Sequence, residues 1–360
     1  MSQITRRPTR HVMIGNTGIG GDEPIRIQSM TNTRTTDVKS TIRQIRELAE
    51  AGCEIVRVSV PDHPSAEAIK DIKKEISIPL TADIHYDYRL AVACIKNGAD
   101  KIRINPGNIG GQKKLREVVK AAKEYSLPIR IGINCGSLEN DILEKYGEIT
   151  PEAVLESVDR NVAVMNDLDF DDLVISVKAS DVMLNYRSNL LVSRKYDYPL
   201  HIGITESGSG MEGIVRSTAG ISILLKEGIG DTIRVSLSND PADEVYAARE
   251  ILNSMDIIKA GVEIISCPTC ARTEVDIIGI ASRVKEKTRD IKKHIKVAVM
   301  GCAVNGIGES KDADIGIAGG KKEFLLFKKG CIIGKIKEEA AVDTLIEEIK
   351  RITQNGKKTL

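Results

Sequence analysis

Val56-Arg57-Val58-Ser59 sets a cation inside an apolar run, and the pattern returns three times along the chain. The repeats are Ile102-Arg103-Ile104-Asn105, Ile129-Arg130-Ile131-Gly132 and Ile233-Arg234-Val235-Ser236. Val177-Lys178-Ala179-Ser180 is a relative of the same pattern. Each lies in a short strand-like run. Working outward from them gives eight runs, at 25–30, 54–60, 79–84, 101–105, 128–134, 173–180, 199–205 and 232–237. Amphipathic stretches such as 38–51, 112–125 and 151–166 separate them, and Ala51-Gly52 and Asn97-Gly98 read as helix stops. Eight βα units within about 240 residues predict a (β/α)8 barrel. A doubly wound sheet is the alternative, but no Gly-x-Gly-x-x-Gly follows the first run and the count is eight.

Ser238-Asn239-Asp240-Pro241 reads as a turn leading into a helix that ends near Leu252 or Met255. A different alternation follows. Strands are expected at 262–267, 296–300, 315–318, 323–327 and 331–336, with helices at 274–288 and 337–352. The chain is therefore expected to be α/β: a TIM barrel over 1–242 and a smaller C-terminal α+β domain over 248–360.

Composition narrows the function. The 360 residues carry 52 basic and 51 acidic side chains, a formal charge of +1, which argues against a general nucleic-acid binder. Three Phe, eight Tyr and no Trp leave little for a base-stacking platform. No run of some 18 apolar residues predicts a membrane span, and MSQITRRPTRHVMIG lacks the apolar core of a signal peptide. A soluble, cytoplasmic protein is expected. Seven cysteines without an export signal do not suggest a disulfide framework.

An Arg inside a buried parallel strand must find an anion or reach water. Four at equivalent places imply convergence at one end of the barrel, and active sites of this fold lie at the C-terminal ends of the strands. Planar fork donors around one mouth suit a phosphate ligand. The competing reading is that an interior carboxylate such as Asp83 or Glu206 pairs each Arg. Asp83-Ile84-His85 and Asn105-Pro106-Gly107-Asn108 end strands three and four and are placed to position a substrate. The seventh run ends His201-Ile202-Gly203-Ile204-Thr205-Glu206 and leads through small residues into a helix start, a place for an anion or for an ordinary capped loop.

Cys267-Pro268-Thr269-Cys270 fits a redox dithiol, a zinc site or an iron–sulfur cluster. Cys302, in Gly301-Cys302-Ala303-Val304-Asn305-Gly306, is a third candidate ligand. Zinc would require Cys331 or His294 as a fourth. Cys331, in Gly330-Cys331-Ile332-Ile333-Gly334, reads instead as strand core, and Cys53, Cys94 and Cys135 belong to the barrel.

Taken together, these stretches resemble the bacterial 4-hydroxy-3-methylbut-2-enyl diphosphate synthases of the methylerythritol phosphate route, in their shorter two-domain form. The resemblance spans nearly the whole chain. It rests on Pro24-Ile25-Arg26-Ile27-Gln28-Ser29-Met30-Thr31, Asp83-Ile84-His85, Arg103 to Asn108, His201 to Glu206, Ser266-Cys267-Pro268-Thr269-Cys270-Ala271-Arg272, and Gly301 to Gly306 with Gly308-Glu309.

It implies a 4Fe–4S cluster held by Cys267, Cys270, Cys302 and Glu309, the last a displaceable ligand. It implies reductive opening and dehydration of 2-C-methyl-D-erythritol 2,4-cyclodiphosphate, with a flavodoxin or ferredoxin as electron donor. It also implies a homodimer in which one subunit's barrel faces the other's cluster domain. On this footing Arg57, Arg103, Arg130, Lys178 and Arg234 are expected to clamp the diphosphate, helped by Asn105, Asn134 and Ser236. Asp83, His85, His201 and Asn305 are expected to contact substrate, and Glu206 to donate a proton. Two other readings remain: a phosphate-sugar barrel with a structural zinc domain, and a non-catalytic cluster-bearing sensor.

Overall fold

The computed structural model describes residues 4–105, 109–273, 275–302 and 307–354. It divides into two compact units, Met1–Met255 and Asp256–Leu360.

The first unit opens with a hairpin, β1 (Val12–Ile14) and β2 (Thr17–Ile19). Eight parallel strands follow: β3 (Arg26–Met30), β4 (Ile55–Ser59), β5 (Leu80–Asp83), β6 (Lys101–Ile104), β7 (Ile129–Asn134), β8 (Leu173–Lys178), β9 (His201–Ile202) and β10 (Thr232–Ile233). Their order is β8-β7-β6-β5-β4-β3-β10-β9, and a parallel bridge between Ile175 and Leu200 joins the two ends. This is the expected barrel. Around it run α1 (Val38–Ala51), α2 (His63–Glu75), α3 (Tyr88–Lys96), α4 (Gln112–Glu124), α5 (Asn140–Tyr146), α6 (Pro151–Asn166), α7 (Val182–Lys195), α8 (Gly210–Lys226) and α9 (Pro241–Ser254).

Local chemistry sets the helix starts. Asp62, Asp181 and Asp240 each accept a backbone N–H from the first turn they precede, a cap that contributes about 1 kcal/mol. Helix α9 packs on β3 and α1, and the division between the units falls after Met255.

The Ile-Arg-Ile repeat follows from this geometry. Side chains alternate across a strand, so Ile102 and Ile104 face the helices while Lys101 and Arg103 face the barrel interior. All four are buried. At the N-terminal end of the barrel Val12, Ile14 and Ile19 of the hairpin pack with Ile55 and Val174 near the starts of β4 and β8. That apolar plug closes one end and leaves the C-terminal end for a ligand.

The second unit is a five-stranded sheet in the order β11 (Val262–Ser266), β12 (Ile295–Met300), β13 (Ile315–Gly320), β14 (Glu323–Lys328), β15 (Cys331–Lys337). The first three strands are parallel and the last two antiparallel. Helices α10 (Ile277–Lys287) and α11 (Ala341–Gln354) contribute Ile280, Val284, Leu345 and Ile349 to one core with Val297, Val299 and Ile317. Two expectations are corrected. Cys331 is exposed, because β15 is an edge strand. The terminal helix begins at Ala341 and not at Lys337, which still pairs with Glu323 as the end of β15. No helix among the described residues is long and apolar enough to cross a membrane.

Candidate active site

Strand register gathers the cations. Asp83 of β5 stands opposite Arg103 of β6, which stands opposite Arg130 of β7. Met30 of β3 stands opposite Arg57 of β4, and Asn134 of β7 opposite Lys178 of β8. Arg234 directly follows β10. Arg103, Arg130 and Lys178 are buried, Arg57 and Arg234 nearly so. The expected five side chains are therefore brought together inside the C-terminal half of the barrel.

Two glycines make room for them. A Cβ at Gly132 on β7 would collide with the Arg103 guanidinium. A Cβ at Gly203, just after β9, would strike the Arg234 carbonyl and lie 3.0 Å from Lys178 Nζ. Glycine within a strand often marks such a close approach.

The cations are only partly neutralised. Asp83 Oδ1 accepts from Arg103 Nη1 at 3.1 Å, and its Oδ2 lies 3.7 Å from Arg57 Nε and 3.6 Å from His85 Nε2. Burial alone would raise the Asp83 pKa, but Arg57, the bond to His85, Arg103 and Arg130 together hold the carboxyl well below the usual range. Arg57 donates through Nε and Nη2 to Met30 Sδ, at 3.1 and 2.9 Å. Burial and the neighbouring arginines bring its pKa down to about 10. Arg130 Nη1 donates to Gln28 Oε1 at 2.8 Å, while its Nε has no partner. Arg234 gives Nε and Nη2 to the two oxygens of Glu244, each at 3.2 Å.

Lys178 has neither a carboxylate nor a hydrogen-bond partner among the described residues. Burial, then Arg234, Arg57 and Arg130, push its pKa well below the ordinary lysine value. The pairing alternative thus holds for Arg57, Arg103 and Arg234, through Asp83 and Glu244. Among the described residues no carboxylate contacts Arg130 or Lys178 directly; Asp83 and Glu244 reach them only through their fields. Buried cations in this state favour an anion with several acceptor oxygens.

The remaining candidates are spread over the barrel. His85 and Asn134 are exposed at the rim, and Ser236 and Asn105 are half-buried just beyond β10 and β6. His201 lies deeper. It starts β9, is fully enclosed, and shares a 2.7 Å bond between Nδ1 and Thr232 Oγ1. Glu206 is exposed at the mouth and takes a left-handed φ of 54°, an arrangement that costs a non-glycine residue about 1 kcal/mol or more. Pro106, Gly107, Asn108 and Asn305 lie outside the described residues. Gln28, Met30, Gly132, Gly203 and Glu244 were not anticipated. The two glycines did carry a signal: Gly132 in Ile131-Gly132-Ile133 shares the inward face of Arg130 two residues before it, and Gly203 in Ile202-Gly203-Ile204 takes the place an Arg fills in the repeats.

In the second unit Ser266 and Val299 are in register on adjacent parallel strands, so Cys267 and Cys302 emerge from the same end of the sheet. The Gly301 N–H donates to Cys267 Sγ at 3.2 Å. Thr273 Oγ1 accepts from the Cys270 N–H at 3.0 Å, which folds the Cys-x-x-Cys segment into a turn. Hydrogen bonds from Arg272, backbone first, lower the Cys270 thiol pKa, and this favours the thiolate that metals bind. All three thiols are free. Among the described residues no three His, Cys, Asp or Glu side chains are gathered tightly enough to hold a single metal ion. His294, the zinc alternative, is engaged by Glu263 at 3.2 Å. Three thiols at one sheet end, one already receiving an N–H, fit a cluster larger than one ion.

Comparison with known proteins covers both units. The family described as GcpE TIM-barrel domain matches residues 9–249, and GcpE protein C-terminal domain matches residues 263–351. Curated relatives named 4-hydroxy-3-methylbut-2-en-1-yl diphosphate synthase (flavodoxin) align along nearly the entire chain. The one from Caldanaerobacter subterraneus subsp. tengcongensis is 56% identical over 97% of this chain and 98% of its own. That from Ruminiclostridium cellulolyticum is 55% identical over 97% and 99%. Among solved structures, dihydropteroate synthase from Vibrio fischeri superposes with a TM-score of 0.50 at 13% identity, over 69% of this chain and 98% of its own. At that identity the likeness shows the barrel fold alone.

Proposed function

The chain belongs to the GcpE family, and from that premise we propose the chemistry its site performs. It is a 4-hydroxy-3-methylbut-2-en-1-yl diphosphate synthase, an oxidoreductase of isoprenoid precursor biosynthesis. Its substrate is 2-C-methyl-D-erythritol 2,4-cyclodiphosphate, which takes up two electrons, opens its ring and loses water. The observation that carries this reading is the enclosure of five cationic side chains, opposed by two carboxylates, at the open end of the barrel.

Ring opening frees a phosphate oxygen and adds negative charge to the diphosphate. A clamp with surplus positive charge therefore binds the opening transition state more strongly than the closed ring, and only such differential binding accelerates the step. Arg57, Arg103, Arg130, Lys178 and Arg234 hold the diphosphate, with Asn105, Asn134 and Ser236 at the rim. Glu206, on its strained turn, holds the proton delivered to the departing hydroxyl. His201 braces the interior through Thr232. Cys267, Cys270 and Cys302 with Glu309 would hold a 4Fe–4S cluster, which when bound supplies the one-electron steps that side chains cannot. Flavodoxin, carried in the relatives' names, is the electron donor, and the enzyme is a cytoplasmic homodimer.

Anaerobic reconstitution with iron and sulfide, followed by turnover of the cyclodiphosphate with reduced flavodoxin, tests the reading. A brown protein that yields the linear diphosphate supports it. A reconstituted protein that leaves the cyclodiphosphate untouched sinks it. Mixing an inactive Arg103→Leu protein with an inactive Cys267→Ala protein tests the homodimer: regained activity supports a site shared between subunits. No regain, with subunit exchange verified, refutes it.

A further inference from the structure

Glu244 lies on the first turn of α9, ten residues after Arg234, and is 5% exposed. Its carboxylate takes four donors. Oε2 accepts from Arg234 Nε at 3.2 Å and from Ser29 Oγ at 3.0 Å. Oε1 accepts from Arg234 Nη2 at 3.2 Å and from the Leu237 N–H at 3.0 Å. The carboxylate thus ties together β3, the segment after β10 and the helix that follows, in a helix first turn that itself favours negative charge.

The pairing is side-on. It consumes the Nε/Nη2 edge of the guanidinium and leaves Nη1 toward Met30, whose sulfur is 3.9 Å away, and so toward the gathered cations. A free guanidinium among Arg57, Lys178 and Arg130 would swing away from them. One tied along an edge cannot.

We propose that Glu244 is a positioning residue for diphosphate recognition, fixing the edge that Arg234 presents and, through Leu237, the neighbouring Ser236. The proposal deepens the functional reading above and rests on it for the identity of the ligand.

Charge and orientation predict opposite signs. Replacing Glu244 by Gln makes the mouth more positive, which by charge alone tightens anion binding. Loss of orientation weakens it. The probe is inorganic pyrophosphate, titrated calorimetrically into the holoenzyme, in wild type, Glu244→Gln, Arg234→Met and the double variant. The expected result is pyrophosphate binding weaker by about tenfold in Glu244→Gln, with no further weakening when Arg234 is already Met. Turnover of the cyclodiphosphate should fall about tenfold to a hundredfold, as displaced binding groups commonly produce.

Unchanged or tighter pyrophosphate binding in Glu244→Gln overturns the proposal. So does equal weakening in both backgrounds, or a wild type that does not bind pyrophosphate. If Glu244→Gln does not fold, Glu244→Asp, which keeps the charge but withdraws the carboxylate by one methylene, carries the same cycle. A protein that shows the coupling with pyrophosphate yet never turns over the cyclodiphosphate overturns the functional reading and leaves the role of Glu244 standing.

Discussion

Lys178 differs from the four arginines around it in being able to lose its proton. No carboxylate among the described residues pairs with it directly, and burial with three guanidinium neighbours outweighs the field of Glu244 and lowers its pKa. A diphosphate placed among these groups supplies the missing negative charge and restores the ordinary value. Binding should therefore take up a proton in the window between the depressed free value and the recovered bound one. Within that window affinity falls as pH rises. Pyrophosphate titrations in two buffers of different ionisation enthalpy measure the uptake. Lys178→Met should remove it, and identical proton uptake in that variant would show that another group is responsible. Glu206 poses a separate question at the same scale. As the proton donor, Glu206→Gln should retain cluster spectra and pyrophosphate binding while kcat drops by about two orders of magnitude or more. Near-normal turnover would remove Glu206 from the chemistry.

A single strand shows what was legible in the sequence. Ile102-Arg103-Ile104 reads as one face against helices and one face inward, and the barrel, its eight strands and the convergence of the cations all follow from that alternation. What it does not reveal is which carboxylate meets which cation. Asp83 meets Arg103 because β5 and β6 pair in register, and Glu244 meets Arg234 because a turn returns α9 onto β3. Both depend on contacts between elements that no local pattern encodes. The exposure of Cys331 is hidden for a similar reason: an apolar strand at a sheet edge looks the same in sequence as one in the middle. The glycines are the legible exception, and they carry a prediction. Gly132→Ala places a methyl group against the buried Arg103 guanidinium. It should destabilise the barrel by about 1–3 kcal/mol and raise KM for the cyclodiphosphate about tenfold. Gly136→Ala, two residues past the end of β7 with open space at its Cβ, should change stability by less than about 0.5 kcal/mol. Urea melts and steady-state kinetics on the pair decide the matter, and equal behaviour of the two variants would refute the packing argument.

At the scale of the molecule the barrel gives up stability by burying proton-binding groups beside its cations. Beneath the clamp, Lys101 is fully buried with no partner for Nζ, and burial followed by Arg130 and Arg57 lowers its pKa well below the usual value. His201 Nε2 is likewise unpartnered, and burial, then Arg130, Lys178 and Lys101, lower its pKa. For both groups the unfolded chain binds the proton more readily than the folded one, so stability rises with pH up to each unfolded value. For His201 the stability present above about pH 6.5 is lost as pH falls below it. For Lys101 the unfolded value is about 10.4, so the penalty already acts at neutral pH and shrinks as pH rises. Lys101→Met removes it. The barrel of that variant should be more stable at pH 7, by about 1–4 kcal/mol if it resembles other replacements of buried charges by apolar groups. Its stability should also change less between pH 7 and pH 9 than that of the wild type. The chain offers a clean readout, because it has no Trp and all eight Tyr precede Met255. Tyrosine fluorescence during guanidinium unfolding therefore follows the barrel unit alone. A Lys101→Met barrel that is less stable at both pH values, with the wild-type pH dependence intact, would mean that Lys101 is held by partners that offset its burial.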